Sequence, residues 1–263
     1  MHTVGELLRQ WRHRRRLSQL DLAIAADVSA RHVSLVETGR SRPSAEMVLR
    51  LAAQLDVPLR ERNRLLLAAG FAPRFPERPL GADALSTARD AVARVLRAHE
   101  PYPALVIDRH WNIVLTNRAV GPFLADVAPE LLRPPVNMLR LGLDPRGLAP
   151  WLVNLADVRS VLRARVGRQL AAAPDGRLTA LYEELLAPAE GEEATAPPAD
   201  SDVTITMTFR FDGRELRLFS TITTFGTPLD ITLDEVAIES YYPADAETAA
   251  YFTDGGGAEG RAA

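Results

Sequence analysis

The sequence predicts an α+β protein in two parts, an all-helical front and a mixed body that ends in an antiparallel sheet. Three observations predict it. Residues 3–69 carry apolar side chains at helical spacing, starting with Val4, Leu7, Leu8 and Trp11. Residues 71–84 then gather Pro73, Pro76, Pro79 and Gly81, which break any helix and mark a connection. After residue 202 the period changes to two. Val203, Ile205, Met207, Phe209 and Phe211 alternate with Thr204, Thr206, Thr208 and Arg210, and the hairpin dipeptide Asp212-Gly213 follows.

The front reads as five short helices. Ser18 precedes Gln19-Leu20-Asp21, a capping hydroxyl with an acid three residues later. Ser29 and Ser44 stand at two further predicted starts. Gly39 falls just past a helix end, where the backbone turns left-handed. Val48, Leu51, Ala52 and Leu55 form a fourth stripe, and Leu59 to Ala69 a fifth helix closed by Gly70. These signals bound a front domain over 1–70, a linker over 71–84, a body over 85–252 and a frayed tail over 253–263.

In the body, Ala84 to His99 is helical by pattern. Ala104–Asp108 and Ile113–Thr116 are short strands around a tight turn. Helical patterns fill roughly 117–186, the clearest being Val158, Val161, Leu162, Val166 and then Leu178, Leu181, Tyr182, Leu185. The acidic, Pro- and Ala-rich stretch Ala187–Asp202 is an exposed loop by composition. A return strand is expected over Arg214–Phe225 and another over Glu235–Tyr242. Gly255-Gly256-Gly257 has no strand before it and no helix after it, so it is not a phosphate loop.

Composition removes several classes. At 263 residues the chain fits two domains. With 47% hydrophobic residues it can build a core, so wholesale disorder is not expected. No window reaches 18 consecutive apolar residues, so no membrane span or membrane partner is expected. The start, Met1 to Glu6, lacks a basic stretch followed by an apolar one, so no signal peptide is expected. There is no cysteine, which excludes disulfides, zinc–thiolate sites and a thiol nucleophile, and suits the cytoplasm. All 31 basic residues are arginine, as in a chain encoded by GC-rich codons. Residues 1–73 hold 12 arginines against seven acids, and residues 74–263 hold 19 against 27. A basic front on an acidic rear suits a nucleic-acid-binding head on a separate body.

Leu17 to Ser44 carries the chemistry. It reads as helix, three-residue turn, helix. Ala23 is small enough for two helices to approach, and Leu22, Val28, Val33 and Val36 share one buried seam. Ser29 caps the second helix, whose N-terminus can then project outward. A helix of that width fits the DNA major groove, and its first residues meet base edges. Ser18-Gln19, Leu22-Ala23, Val28-Ser29, Val33, Glu37-x-Gly39 and Arg42-Pro43 closely resemble the helix-turn-helix of the Cro/C1 repressor-like (XRE) family over about residues 3–70. The resemblance implies a five-helix lambda-repressor-like domain.

This sequence departs from the family pattern at Asp27, where glycine is common. Asp tolerates left-handed backbone better than most residues. It also departs at Leu20 and Ile24, where polar residues are usual. These two lie one turn apart and are expected to touch another helix, within the head or across a dimer. By the resemblance, Gln19 and Ser29 bond DNA phosphates, Ser29 through its hydroxyl and the helix-end amides. Ala30, Arg31, Ser34 and Leu35 occupy the base-reading face, with Arg31 the candidate for a bidentate contact to guanine. His32, Thr38, Arg40 and Arg42 approach the backbone. Arg12, Arg14, Arg15 and Arg16 can add electrostatic attraction, but such a run reads most simply as a wet helix end.

For the body, Leu105-Val106-Ile107-Asp108, Trp111-Asn112-Ile113-Val114 and Asn117-Arg118-Ala119 resemble the opening of a PAS-like sensor domain. With Phe219 to Pro228 and Ile238 to Asp245, the stretch over about 85–250 resembles the ligand-binding domain of MmyB-like regulators. That resemblance implies a small apolar, fatty-acid-like effector and no other cofactor. A concave sheet crossed by helices can hold an apolar pocket. The candidate lining residues are Val106, Trp111, Trp151, Met207, Phe209, Phe219, Ile222 and Tyr241, each equally suited to plain core.

Enzyme readings are poor. His2, His13, His32, His99 and His110 show no metal-ligand spacing, and there is neither a Gly-x-Ser-x-Gly elbow nor a Gly-Lys-Ser loop. The adjacent acids Glu183-Glu184 and Glu192-Glu193 are explained by solvation. The expectation is a homodimeric, sequence-specific regulator of transcription on double-stranded DNA. Its rivals are a constitutive DNA-binding regulator whose rear domain only dimerises, and an antitoxin-like interaction module.

Overall fold

A computed structural model describes residues 2–187, 206–211 and 213–254. The alternating positions Val203 to Ile205, the turn residue Asp212, the acidic loop from residue 188 and the glycine-rich tail lie outside the described residues. In chain order the helices are α1 (Val4–Arg14), α2 (Gln19–Ala25), α3 (Ala30–Glu37), α4 (Ala45–Gln54), α5 (Leu59–Ala68), α6 (Ser86–Ala98), α7 (Gly121–Leu124), α8 (Met138–Leu143), α9 (Leu155–Ala172), α10 (Gly176–Leu185), α11 (Ile231–Glu235) and α12 (Ala246–Thr253). The strands are β1 (Ala104–Ile107), β2 (Ile113–Thr116), β3 (Met207–Phe211), β4 (Arg214–Thr223) and β5 (Ala237–Pro243).

The chain forms two compact units. One holds the residues up to Pro79 together with Gly226–Asp234; the other holds Leu80–Phe225 and the residues from Glu235 onward.

In the first unit, capping hydroxyls start four helices. Thr3 and Glu6 close a reciprocal box at α1, and Ser18 and Asp21 close another at α2. The Ser29 and Ser44 hydroxyls accept from the amides of His32 and Met47 at α3 and α4. The apolar stripes then meet in a core of Leu8, Trp11, Leu22, Val33, Val36, Val48, Leu51, Leu55, Leu65 and Leu66, all buried. The turn between α2 and α3 closes as expected. Asp27 sits at φ +52°, and the Val28 amide donates to the Ala23 carbonyl at 2.9 Å. Gly5 lets α1 rest directly on the end of α3. A Cβ there would stand 2.4 Å from the Val36 carbonyl oxygen and 2.8 Å from that of Glu37.

Helix α5 is different, because Pro58 at its N-cap offers no side-chain cap. The Asp234 carboxylate supplies one from 175 residues away, accepting from the Leu59 amide at 3.0 Å. The same short segment pairs the buried Asp230 with Arg78 at 3.1 Å, and its Ile231 amide donates to the Pro76 carbonyl at 2.9 Å. Asn63 brackets the proline-rich stretch from the other side. Its Nδ2 donates to the Phe75 carbonyl, and its Oδ1 accepts from the amides of Arg74 and Phe75.

The second unit is built on one antiparallel sheet of order β2-β1-β5-β4-β3. The strands before and after the central helices therefore share a single layer, joined where β1 pairs with β5. Ala104, Val106, Val236 and Ile238 pack with Val92 and Leu96 of α6 on one face. Leu105 and Ile107 join the cluster with α8, α9 and α10 on the other. The helical patterns over 117–186 resolve into α7 to α10 with irregular turns between the first three. Pro122, Pro129, Pro134, Pro135, Pro145 and Pro150 each remove a backbone donor, so a continuous helix is not available there. Asn117 fastens the start of this region. Its Oδ1 accepts from the Ala104 amide, and its Nδ2 donates to the carbonyls of Leu96 and Tyr102.

Because Gly5 sits against backbone that cannot retreat, Gly5→Ala is expected to cost about 1–3 kcal/mol by overpacking. Thermal denaturation measures it; an unchanged or raised Tm would show that α1 can slide on α3.

Candidate functional site

Helix α3 owes its orientation to a buried polar node. Glu37, at its last turn, is buried and takes a bidentate pair from Arg12 of α1, Nε to Oε1 at 2.7 Å and Nη2 to Oε2 at 2.8 Å. Gln19 of α2 donates its Nε2 to the same Oε2 at 2.9 Å. Arg12 also donates to the Leu17 carbonyl at 2.8 Å. Three helices are thus tied to one carboxylate. Burial pushes the Glu37 carboxyl up, but the hydrogen bonds from Arg12 and Gln19 outweigh this and hold it below its ordinary value. The reading of Arg12 as part of a wet helix end is corrected here: only 6% of the residue is exposed, and its charge is spent inside. Arg15 is also committed, to the carbonyls of Leu55 and Asp56, while Arg14 lies over the Trp11 ring.

With Val33, Val36 and Glu37 turned inward, α3 leaves Arg31 exposed and Ala30, His32, Ser34 and Leu35 half-buried. Among the described residues Arg31, Arg40 and Arg42 are exposed and form no ion pair. The Ser29 hydroxyl oxygen accepts from the His32 amide at 3.1 Å, which leaves its hydrogen free to donate outward. The Thr38 hydroxyl instead donates to the Ser34 carbonyl at 2.7 Å, so its own hydrogen is engaged. Gln19 belongs at once to the helix start and to the Glu37 node, a double position its sequence context did not reveal. Leu20 and Ile24 are 59% and 71% exposed, so the expectation that they pack within the head is corrected.

The second unit holds a partly open cavity of about 110 Å3 between the sheet and α7, α8 and α9. Of the eight candidates, Met207, Phe209 and Tyr241 lie on its wall. The other five candidates lie off its wall. Val106 and Phe219 face the opposite side of the sheet, because strand alternation reverses at every residue; Val106 packs on α6, and Phe219 stacks on Tyr242 at 5.4 Å. Ile222 extends past the wall and is 47% exposed. Trp151 packs edge-on against Phe211. Trp111 is buried beside Gln169, to which its indole donates at 3.0 Å, and under the Arg165 guanidinium at 4.3 Å. Its φ of +67° is a strained value for an aromatic residue. Asp108 holds the turn there by accepting from the amides of His110 and Asn112.

The rest of the wall comes from positions that periodicity could mark only as core. Phe123, Leu141, Leu152, Val158 and Leu162 approach from the helical side, and Leu105 and Leu218 from the sheet. Glu239 and Tyr241 bring the polar atoms.

A family model described as the MmyB-like transcription regulator ligand binding domain matches residues 88–253. The chain belongs to the MmyB-like transcription regulators. A helix-turn-helix domain model matches residues 3–65 of this MmyB-like chain. An HTH-type transcriptional regulator of Bacillus subtilis (strain 168), RghRB, is similar, with 36% identity over 78 residues. That match covers 29% of this chain and 54% of the relative, so the chain spans about half the length of the curated relative it matches. The MmyB-like chain therefore carries a helix-turn-helix in front of a ligand-binding domain. Among the described residues no helix is long and apolar enough to cross a membrane, and no group of three or more acids or histidines could hold a metal.

Arg12→Ala is expected to destabilise the first unit by about 3 kcal/mol, because it strands a buried carboxylate. Since Glu37 titrates lower in the folded state, its contribution is complete above the ordinary glutamate value and lost as pH falls through the folded one. Acid unfolding of the wild type should therefore show a stability loss in that window which Arg12→Ala lacks. Parallel acid profiles would sink the assignment.

Proposed function

We propose that this protein is a homodimeric, sequence-specific DNA-binding regulator whose activity responds to a small apolar, fatty-acid-like effector. The observation that carries the first part is the solvent-facing side of α3, held rigid from behind by Arg12, Glu37 and Gln19. Its N-terminal residues enter the major groove, with Arg31 reading a base and the Ser29 hydroxyl and helix-end amides meeting a phosphate. Gln19, Arg40 and Arg42 contact the backbone on either side, with His32 and Thr38 near it. Such heads act in pairs on two half-sites about 34 Å apart. The exposed Leu20 and Ile24 support an assembled form.

The effector reading is supported by the apolar cavity inside the family's ligand-binding domain. At about 110 Å3 it is somewhat smaller than the ~150 Å3 engineered cavity that holds benzene, so a ring or an acyl chain requires the partly open pocket to widen. The effector shifts DNA affinity only if it binds one arrangement of the dimer better than another.

Genomic footprinting with purified protein, with and without a lipid extract, tests both parts. Protected sites in two half-sites whose occupancy changes with the extract are expected. No protected site at low ionic strength would refute the DNA reading, and occupancy indifferent to the extract would refute the effector. Arg31→Ala should lose about 1–3 kcal/mol on the preferred site and relax one base position. A uniform loss on all sequences would place Arg31 on phosphate instead. Gln19→Ala should weaken binding without changing the preferred site.

A further inference from the structure

One face of α9 serves two structures. Val158 and Leu162 line the cavity, and Arg165 and Gln169, one and two turns further on, continue the same stripe. Gln169 holds the turn that leads into β2. Its Nε2 donates to the Arg109 carbonyl at 2.7 Å, and its Oε1 accepts from the Trp111 indole at 3.0 Å. Other parts of the wall bear on this turn too. Ile113 follows it directly, and the Met138 amide donates to the Trp111 carbonyl at 2.8 Å. Trp111 is held there at φ +67°, a conformation that persists only while its surroundings enforce it.

From the same turn the Arg109 side chain reaches α11. Its Nη1 meets the Glu235 carboxylate at 3.3 Å, and its Nη2 meets that of Asp175 at 2.9 Å. Glu235 directly follows Asp234, whose carboxylate caps α5 at the Leu59 amide. Pro58 gives α5 no cap of its own, so that amide has two states, bonded to Asp234 or left to water. A ring or an acyl chain enters the cavity only if the cavity widens, which displaces its helical wall, α9 included. A shift of α9 carries Gln169 with it and disturbs the turn from which Arg109 grips Glu235. Once that grip slackens, the neighbouring Asp234 is no longer fixed at α5.

We infer that filling the cavity loosens the Asp234 cap on α5, with Gln169, Arg109 and Glu235 as the positioning residues that connect the two. This rests on the effector reading above and names the regulation of that site.

Coupling of this kind is reciprocal: if a filled cavity weakens the cap, a missing cap eases filling by the same factor. Calorimetric titration of the full chain with decanoate tests it. Asp234→Ala and Glu235→Ala should each bind decanoate at least about fivefold tighter than the wild type. Residues that only stabilised the fold would leave the affinity unchanged or lower it. In the wild type, decanoate should also speed hydrogen exchange at the Leu59 amide, and in Asp234→Ala, uncapped throughout, it should not. Circular dichroism checks that both variants fold; where one does not, the other and the wild-type exchange decide. A smaller gain or a loss of affinity in a folded variant, or Leu59 exchange indifferent to bound decanoate, overturns the inference and leaves the effector cavity standing. No heat with decanoate in the wild type removes the effector reading and this inference together.

Discussion

One buried carboxylate organises the head. Glu37 sits where α1, α2 and α3 converge, and it can be buried only because Arg12 and Gln19 satisfy it. The energetic value of such a pair is small when compared with an apolar substitute, since desolvation offsets most of the attraction. Its value here is directional. A leucine seam would let α3 roll about its axis; two parallel hydrogen bonds from a planar guanidinium do not. Rolling α3 by one residue would rotate Arg31 by about 100°, away from any groove it reads. The adjacent contact of Gly5 with the Val36 and Glu37 carbonyls fixes the distance, as the ion pair fixes the angle.

Much of the head was legible because its signals are local. Each capping hydroxyl lies within three residues of the amide it serves, and each helical stripe repeats within one turn. Asp27 could be placed in left-handed backbone because it stands where the resembled family commonly has glycine. Arg12 could not be separated from its neighbours, because a run of arginines looks alike until the fold shows which one points inward. The Asp234 cap on α5 was illegible for a different reason: nothing local links residues 59 and 234, and Pro58 gives only the negative hint that a cap is missing.

In the second unit the strands were legible and their faces less so. Alternation identifies a half-buried strand but not which parity faces the interior, and in β1 all four residues are buried. Val106 was therefore as eligible as Leu105, though the two lie on opposite sides. Met207 and Phe209 share the alternating apolar face of β3 and reach the cavity, as does Tyr241 of β5, whose sequence shows no such alternation. The helical wall was hidden by prolines, which cut the region into pieces too short for periodicity to resolve. Trp111 shows the same limit at one residue, since its positive φ depends on the Asp108 bracket.

The segment Gly226–Asp234 leaves the sheet at the end of β4, completes the head, and returns to begin β5. The backbone consequently passes between the two units three times, after residues 79, 225 and 234. The α5 cap therefore comes from a residue 175 positions further along the chain. A single cut at the prolines would separate this head from the residues that cap α5 and pair with Arg78. A graft that keeps the Leu59 cap and the Arg78 ion pair would need the far strap as well.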